Sequence, residues 1–274
     1  MIHYREGSAA DRDAILALRR RCFANENVEK QDPAYWDWQF ADGRLFLAVF
    51  EGRPIAHIGF IPRSLVVGGE TVRTALAIDA MTDPGFRRRG IFRRLMSVAR
   101  DEIAKQYRIS TAWQIRRSVL PAMMDNGWMP MLSAPVMAKP LLLSFAGENG
   151  GAASTMLNDP RQHVVQQLGL AKITTRRTTL KGFDTLAIVD AAWSDNKELR
   201  RLLRSACATA KKEGVTLAAA LVTLRHPLLP ILLRAGFLPT PHRFRLLVNV
   251  FDASLHDAVR RNRWALLWAD TDHL

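Results

Sequence analysis

Along this chain short apolar runs are separated by turn residues, and in a few segments apolar residues recur at helical spacing. Ile2 to Arg5 predicts a strand. Ser8 suits the N-cap of a helix that carries Ala14, Ile15, Leu18 and Cys22 on one face. Residues 25–42 break the pattern: they are polar but hold Pro33, Tyr35, Trp36, Trp38 and Phe40, which predicts a loop with a short aromatic helix. Leu45 to Phe50 and Ile55 to Phe60 flank Gly52-Arg53 as a hairpin, and Val66 to Gly69 with Val72 to Met81 extend it as an antiparallel meander. A helix from about Gly90 to Gln106, a strand from Ile109 to Gln114 and a helix ending at Asn126-Gly127 follow. That glycine stands where a helix C-terminus takes a left-handed residue.

Between Lys139 and Pro160 the composition shifts to Ser, Gly, Asn and Ala, which predicts a first domain over 1–140, a linker over 141–160 and a second domain over 161–274. Beyond the linker the order of elements recurs: strands at Ile173 to Leu180 and Thr185 to Val189, a helix at Lys197 to Lys212, a strand at Val215 to Thr223, and a helix ending at Ala235-Gly236. Trp113-Gln114-Ile115-Arg116 leading to Gly127-Trp128 matches Val222-Thr223-Leu224-Arg225 leading to Gly236-Phe237, a period of about 109 residues. A strand, helix, glycine and aromatic in series is a common α/β ending. Agreement in the order of elements as well as in spacing favours duplication.

The chain has 274 residues, 48% of them hydrophobic and 24% charged, enough for two ordinary cores. Its apolar runs fall short of a membrane helix and Met1 to Glu6 is polar, which predicts a cytoplasmic protein without membrane association. Cys22 and Cys207 are too few for a disulfide framework and no His/Cys cluster has zinc spacing, so no metal is expected. Each cysteine reads as a small buried hydrophobe away from the candidate site. The net charge of +13 raises nucleic acid as a partner, but the excess is spread over both halves. A polyanionic cofactor with an anionic acceptor explains it equally well.

The candidate chemistry lies at Asp83-Pro84-Gly85-Phe86-Arg87-Arg88-Arg89-Gly90-Ile91-Phe92-Arg93, between a strand and a helix. Neither a Walker loop nor a dinucleotide fingerprint is present. A solvated basic helix start is the plain alternative. Three arginines at the positive end of a helix dipole are unfavourable, however, unless an anion sits there, and Gly90 lets a phosphate approach the main chain. Phe92 either packs beneath the helix and leaves the amides open or crowds the ligand. The second half has Ala192-Trp193-Ser194-Asp195-Asn196-Lys197 at the matching place, without glycine and with an acidic residue, which predicts one such site per chain.

The run Arg87-Arg88-Arg89-Gly90-Ile91-Phe92 resembles the acetyl-CoA pyrophosphate loop of the GNAT superfamily of N-acetyltransferases, except at Phe92, where Gly or Ala is usual. The resemblance covers about Ile2 to Trp128. It is closest to tandem forms with a degenerate second half, which share a Pro-x-Tyr-Trp-x-Trp segment (Pro33, Tyr35, Trp36, Trp38) and a Thr-x-Pro (Thr82, Asp83, Pro84). It implies an α/β (α+β) fold of two GNAT-like domains, each a mixed, mostly antiparallel sheet flanked by helices. It also implies acetyl-CoA as cosubstrate, an amine-bearing acceptor and direct attack in a ternary complex. Cofactor contacts would come from Ala80, Met81, Arg87, Arg88, Arg89, Gly90, Ile91, Phe92 and Arg93.

For catalysis, Asp79 stands alone in the apolar strand Ala75 to Met81 and is the first candidate for the base that deprotonates the acceptor, against the alternative of a structural Asp. His57 on a neighbouring strand is the second, against the alternative of a satisfied core histidine. The Asn and the Tyr proton donor found in many family members correspond to Arg116 and Met123 here. Methionine donates no proton, which keeps open a non-catalytic acyl-CoA-binding or basic nucleic-acid-associated GNAT-like protein. Trp36 and Trp38 read equally as an acceptor pocket or as one core anchor and one surface ring.

Overall fold

In a computed structural model the described residues are 1–24, 28–113, 118–142 and 163–270. The elements in chain order are β1 (Ile2–Glu6), α1 (Arg12–Cys22), α2 (Pro33–Gln39), β2 (Arg44–Phe50), β3 (Arg53–Val67), β4 (Glu70–Thr82), α3 (Ile91–Ile103), β5 (Ile109–Trp113), α4 (Leu120–Met124) and β6 (Met129–Pro140). They continue as β7 (Val164–Leu168), β8 (Ala171–Leu180), β9 (Phe183–Ala192), α5 (Asn196–Lys212), β10 (Leu217–Leu221), α6 (Leu228–Arg234), β11 (Leu238–Val250) and α7 (His256–Arg261). The fold is mixed α/β, with mostly antiparallel sheet flanked by helices. Gln114, Ile115 and Arg116, and the expected linker from residue 143 on, lie outside the described residues.

The chain forms two compact units, Met1–Leu132 with Arg245–Asn262, and Ser133–Phe244 with Arg263–Leu274. In the first, the strand order is β1-β2-β3-β4-β5-β11. All neighbours are antiparallel except β4 and β5, which pair in parallel from Thr74↔Ile109 to Ala77↔Ala112. A parallel pair requires a crossover, and α3 supplies it. Ile91, Leu95, Met96, Ala99 and Ile103 recur at helical spacing, and this face packs on Phe46, Ile58, Phe60 and Ala77 in one core. The final strand comes from far along the chain: Leu246 to Val250 of β11 pair with Trp113 to Ile109.

In the second unit the order β6-β10-β9-β8-β7 repeats the plan, with β9 and β10 parallel from Thr185↔Leu217 to Ile188↔Ala220 and α5 as the crossover. Leu199, Leu202, Leu203, Ala206, Cys207 and Ala210 give α5 its buried face, so Cys207 is the small core residue the sequence suggested. Both units end their last short helix alike. Gly127 (φ 86°) bonds back to Met124 O, and Gly236 (φ 89°) to Leu233 O. The following rings of Trp128 and Phe237 are then buried.

Candidate active site

After Ala77 the edge of β4 facing β5 has no pairing partner among the described residues, although β4 runs on to Thr82 and stays paired with β3 on its other side. A strand edge with unpaired N–H and C=O groups is an acceptor for another extended chain. Ala80 and Met81 lie on this stretch. A turn follows, Pro84–Phe86, in which Asp83 Oδ1 accepts from Gly85 N at 3.0 Å.

The loop then changes hand twice. Arg88 has φ 61°, and Gly90 has φ 73° and serves as N-cap of α3. This geometry turns the successive amides of Arg88, Arg89, Gly90, Ile91, Phe92 and Arg93 away from internal acceptors. Among the described residues none of the six donates to protein, the neighbouring bonds being Arg87 N to Pro84 O and Arg94 N to Gly90 O. A Cβ built on Gly90 would meet nothing within 4 Å, so the space beside the amides is open. Phe92 is half-buried and packs on the first unit's core, which resolves the two expectations for it in favour of the open loop.

The arginines of the loop differ in their engagements. Arg87 Nε donates to Thr82 O at 3.1 Å, Arg93 pairs with Asp125 at 2.7 Å, and the Arg89 guanidinium lies 5.3 Å from the centre of the Phe86 ring. Arg88 and Arg89 have no carboxylate partner among the described residues. One expectation needs correction. Cys22 does lie at the loop, because the last turn of α1 docks there through Arg21 and Asp83 at 2.8 Å, and the charge of Arg87 acts on its sulfur. Burial pushes this thiol up despite the arginine, which leaves it a poor nucleophile at neutral pH.

Where β4 leaves β5, its pairing with β3 slips by one residue between His57 and Gly59, and the extra residue is Asp79 with φ 51°. Its carboxylate is only 8% exposed and pairs with Arg19 Nη1 at 2.8 Å, with Lys30 Nζ at 3.8 Å. His57 is fully buried, its Nδ1 3.1 Å from the backbone oxygen of Asp79. Burial lowers its pKa to about 4, outweighing the attraction of Asp79, so the ring is neutral. The structure thus brings the two sequence candidates together. It adds Arg19 and Lys30, which no local pattern marks because their partner lies about 50 to 60 residues further along the chain.

Met123 is buried in the core at 1% exposure, and Arg116 lies outside the described residues. In α2 the aromatic segment divides by helical phase: Tyr35 and Trp36 are buried and Trp38 is 52% exposed. Among the described residues no group of three or more His, Cys, Asp or Glu is placed to hold a metal, and no helix is long and apolar enough to cross a membrane.

Residues 3–121 match the family model described as an acetyltransferase (GNAT) domain. No curated protein matches the sequence. Among solved structures, a GCN5-related N-acetyltransferase from Anabaena variabilis is 13% identical with a TM-score of 0.67, over 92% of this chain and 73% of that one. Eis1 from Mycobacterium abscessus is 15% identical with a TM-score of 0.63, over 95% and 76%. A tandem GNAT protein from the clavulanic acid biosynthesis pathway is 14% identical with a TM-score of 0.56, over 92% of this chain and 99% of that one. At such identities the likeness is one of fold. The domain match covers the stretch that carries the arginine loop, so residues 3–121 are similar to a GNAT acetyltransferase domain.

Proposed function

We propose that the protein is an N-acetyltransferase that moves an acetyl group from acetyl-CoA to a primary amine by direct attack in a ternary complex. Residues 1–140 would be the working domain, 141–160 a linker and 161–274 a degenerate GNAT-like half. The observation that carries this reading is the run of six amides from Arg88 to Arg93 without protein acceptors, opening on space beside Gly90 at the end of a free strand edge. A diphosphate takes several N–H donors at once, and a helix N-terminus adds its partial positive charge. The loop fits it. Ala80 and Met81 on the free edge of β4 would pair with the amides of the pantetheine arm.

With the diphosphate at the loop and the arm running back along β4, the thioester end falls where β5 rejoins, beside Asp79. Acetyl-CoA would supply the acyl carbon whose bond to sulfur breaks as the amine nitrogen bonds to it. Asp79 would take the proton that the amine loses, and water would protonate the departing thiolate, since Met123 is apolar and buried. The same burial of Met123 favours a second reading, an acyl-CoA-binding protein without turnover.

Thermal-shift titration with acetyl-CoA, CoA and ATP on wild type, Gly90→Glu and Gly90→Asn separates these readings. Binding at a hundredfold over Kd stabilises by about 2.7 kcal/mol. Asparagine tolerates the left-handed backbone without adding charge, so it should keep most of the acetyl-CoA shift. Glutamate should abolish it while the fold survives. No shift in the wild type would sink the proposal. A shift without CoA release in the presence of any primary amine would favour the second reading.

A further inference from the structure

We propose that His57 is a positioning residue, a neutral imidazole that clamps the left-handed bulge of β4 and so sets where Asp79 and the following strand edge stand. Its catalytic meaning rests on the transferase reading. The clamp itself rests on geometry.

A non-glycine residue in the left-handed region costs about 1–2 kcal/mol, and such strain persists only where the surroundings hold it. Among the described residues the other non-glycine residues with positive φ are Glu51, Arg88 and Lys181, all outside the strands, whereas Asp79 lies inside one. Two contacts hold it from opposite ends. Arg19 Nη1 grips the carboxylate at 2.8 Å, and His57 Nδ1 meets the backbone oxygen at 3.1 Å.

A carbonyl oxygen only accepts, so Nδ1 carries the proton and Nε2 holds a bare lone pair. Nε2 is buried with no hydrogen-bond partner, on a residue 0% exposed. An orphaned buried acceptor normally costs stability and calls for a reason. Here the reason is that the ring is present for its other nitrogen. Phe40 packs edge-on against it, with centroids 5.9 Å apart and planes at 88°. Gly59 makes the room for Phe40, since a Cβ there would come within 2.3 Å of its ring. Ring, wedge and gap together fix the imidazole in one orientation. Full burial also removes His57 from contact with an acceptor, so it acts through Asp79.

The first test is the tautomer. Imidazole nitrogen-15 spectra of the full-length protein, with the His57 signals assigned by their loss in His57→Asn, should show an Nδ1–H neutral ring from pH 5.5 to 8. An Nε2–H ring, or a midpoint near the ordinary histidine value, would overturn the clamp.

The second test is rescue. Asparagine places an N–H donor where Nδ1 stood, and leucine keeps the volume without the donor. Amide exchange at Asp79, Ala80 and Met81 should rise about tenfold in His57→Leu, the worth of one hydrogen bond, and stay within about threefold of wild type in His57→Asn. Equal exchange in the two variants would also overturn it. If the leucine variant does not fold, the tautomer and the asparagine variant still decide. With an amine substrate in hand, His57→Leu should lower kcat about tenfold at unchanged KM for acetyl-CoA, and asparagine should restore it. A wild type that never binds acetyl-CoA would remove the transferase reading and leave the clamp to these spectra.

Discussion

The two units share a plan down to the bulge, and they part at two matched places. In the first unit β4 leaves its parallel partner after Ala77 and bulges at Asp79; in the second β9 leaves its partner after Ile188, and its pairing with β8 likewise slips by one residue. Asp79 is left-handed, and its carboxylate, 8% exposed, is ion-paired. Its counterpart region has no left-handed residue, and Asp190 is exposed and accepts from the next amide, Ala191 N, at 2.8 Å. The helices that follow differ in the same sense. α3 starts at Gly90 with no side-chain cap, whereas at α5 the Asp195 side chain accepts from Lys197 N at 2.7 Å. A carboxylate at a helix start is the usual way to satisfy its donors and its dipole. The first unit forgoes that stabilisation and leaves its donors without a protein acceptor among the described residues, while the second gives Lys197 N to Asp195. One frame thus serves both units, and a few side chains set their helix starts apart.

The sharpest way to break this comparison is to neutralise the two aspartates. Asp79→Asn leaves the buried Arg19 guanidinium without its carboxylate and should cost about 3–5 kcal/mol in denaturant unfolding, whereas Asp190→Asn should stay within about 0.5 kcal/mol. Equal effects would make the two bulges equivalent. Measured below its lowered melting point, Asp79→Asn should also slow acetyl transfer by about a hundredfold or more while keeping the acetyl-CoA shift. An unchanged rate would remove Asp79 as base.

Acid is the next lever. The folded pKa of His57, about 4, lies below the ordinary 6.5, so protons favour the unfolded chain. Its contribution is complete above about pH 6.5 and is lost as pH falls toward 4, up to roughly 3 kcal/mol. His163, His226 and His242 are also depressed by burial and act in the same direction. The His57 share is therefore the difference between wild type and His57→Asn in unfolding curves at pH 7 and 5. A difference independent of pH would refute it.

The smallest effect tests the second helix start. Asp195→Ala removes an N-cap and should cost about 1 kcal/mol. It should not create an acetyl-CoA-dependent shift, because that loop still lacks the left-handed glycine. Appearance of such a shift would mean that the cap alone had closed the second site.

Much of this could be read from local pattern. Apolar runs between turn residues marked β2, the hairpin into β3, β4 and β5, and helical spacing marked α1, α3 and α5, because each signal rests on neighbours in sequence. Gly127 declared itself because a helix end that turns left-handed asks for glycine, and Gly90 because it has no Cβ to keep a phosphate from the main chain. The same logic failed at Asp79, whose left-handed backbone is held by Arg19 and His57 from other elements. β6 and β11 passed unnoticed because each is completed by strands remote in the chain. Cys22 was placed away from the loop because nothing in a linear pattern says that the end of α1 docks beside Arg87. Propensity, periodicity and turn chemistry are properties of a few consecutive residues, so the order of elements and the basic loop before α3 were already written in the chain. Strand register, the closing of the first sheet by β11 and the ion pair around Asp79 depend on contacts between distant segments, whose free energy exists only once the fold has brought them together.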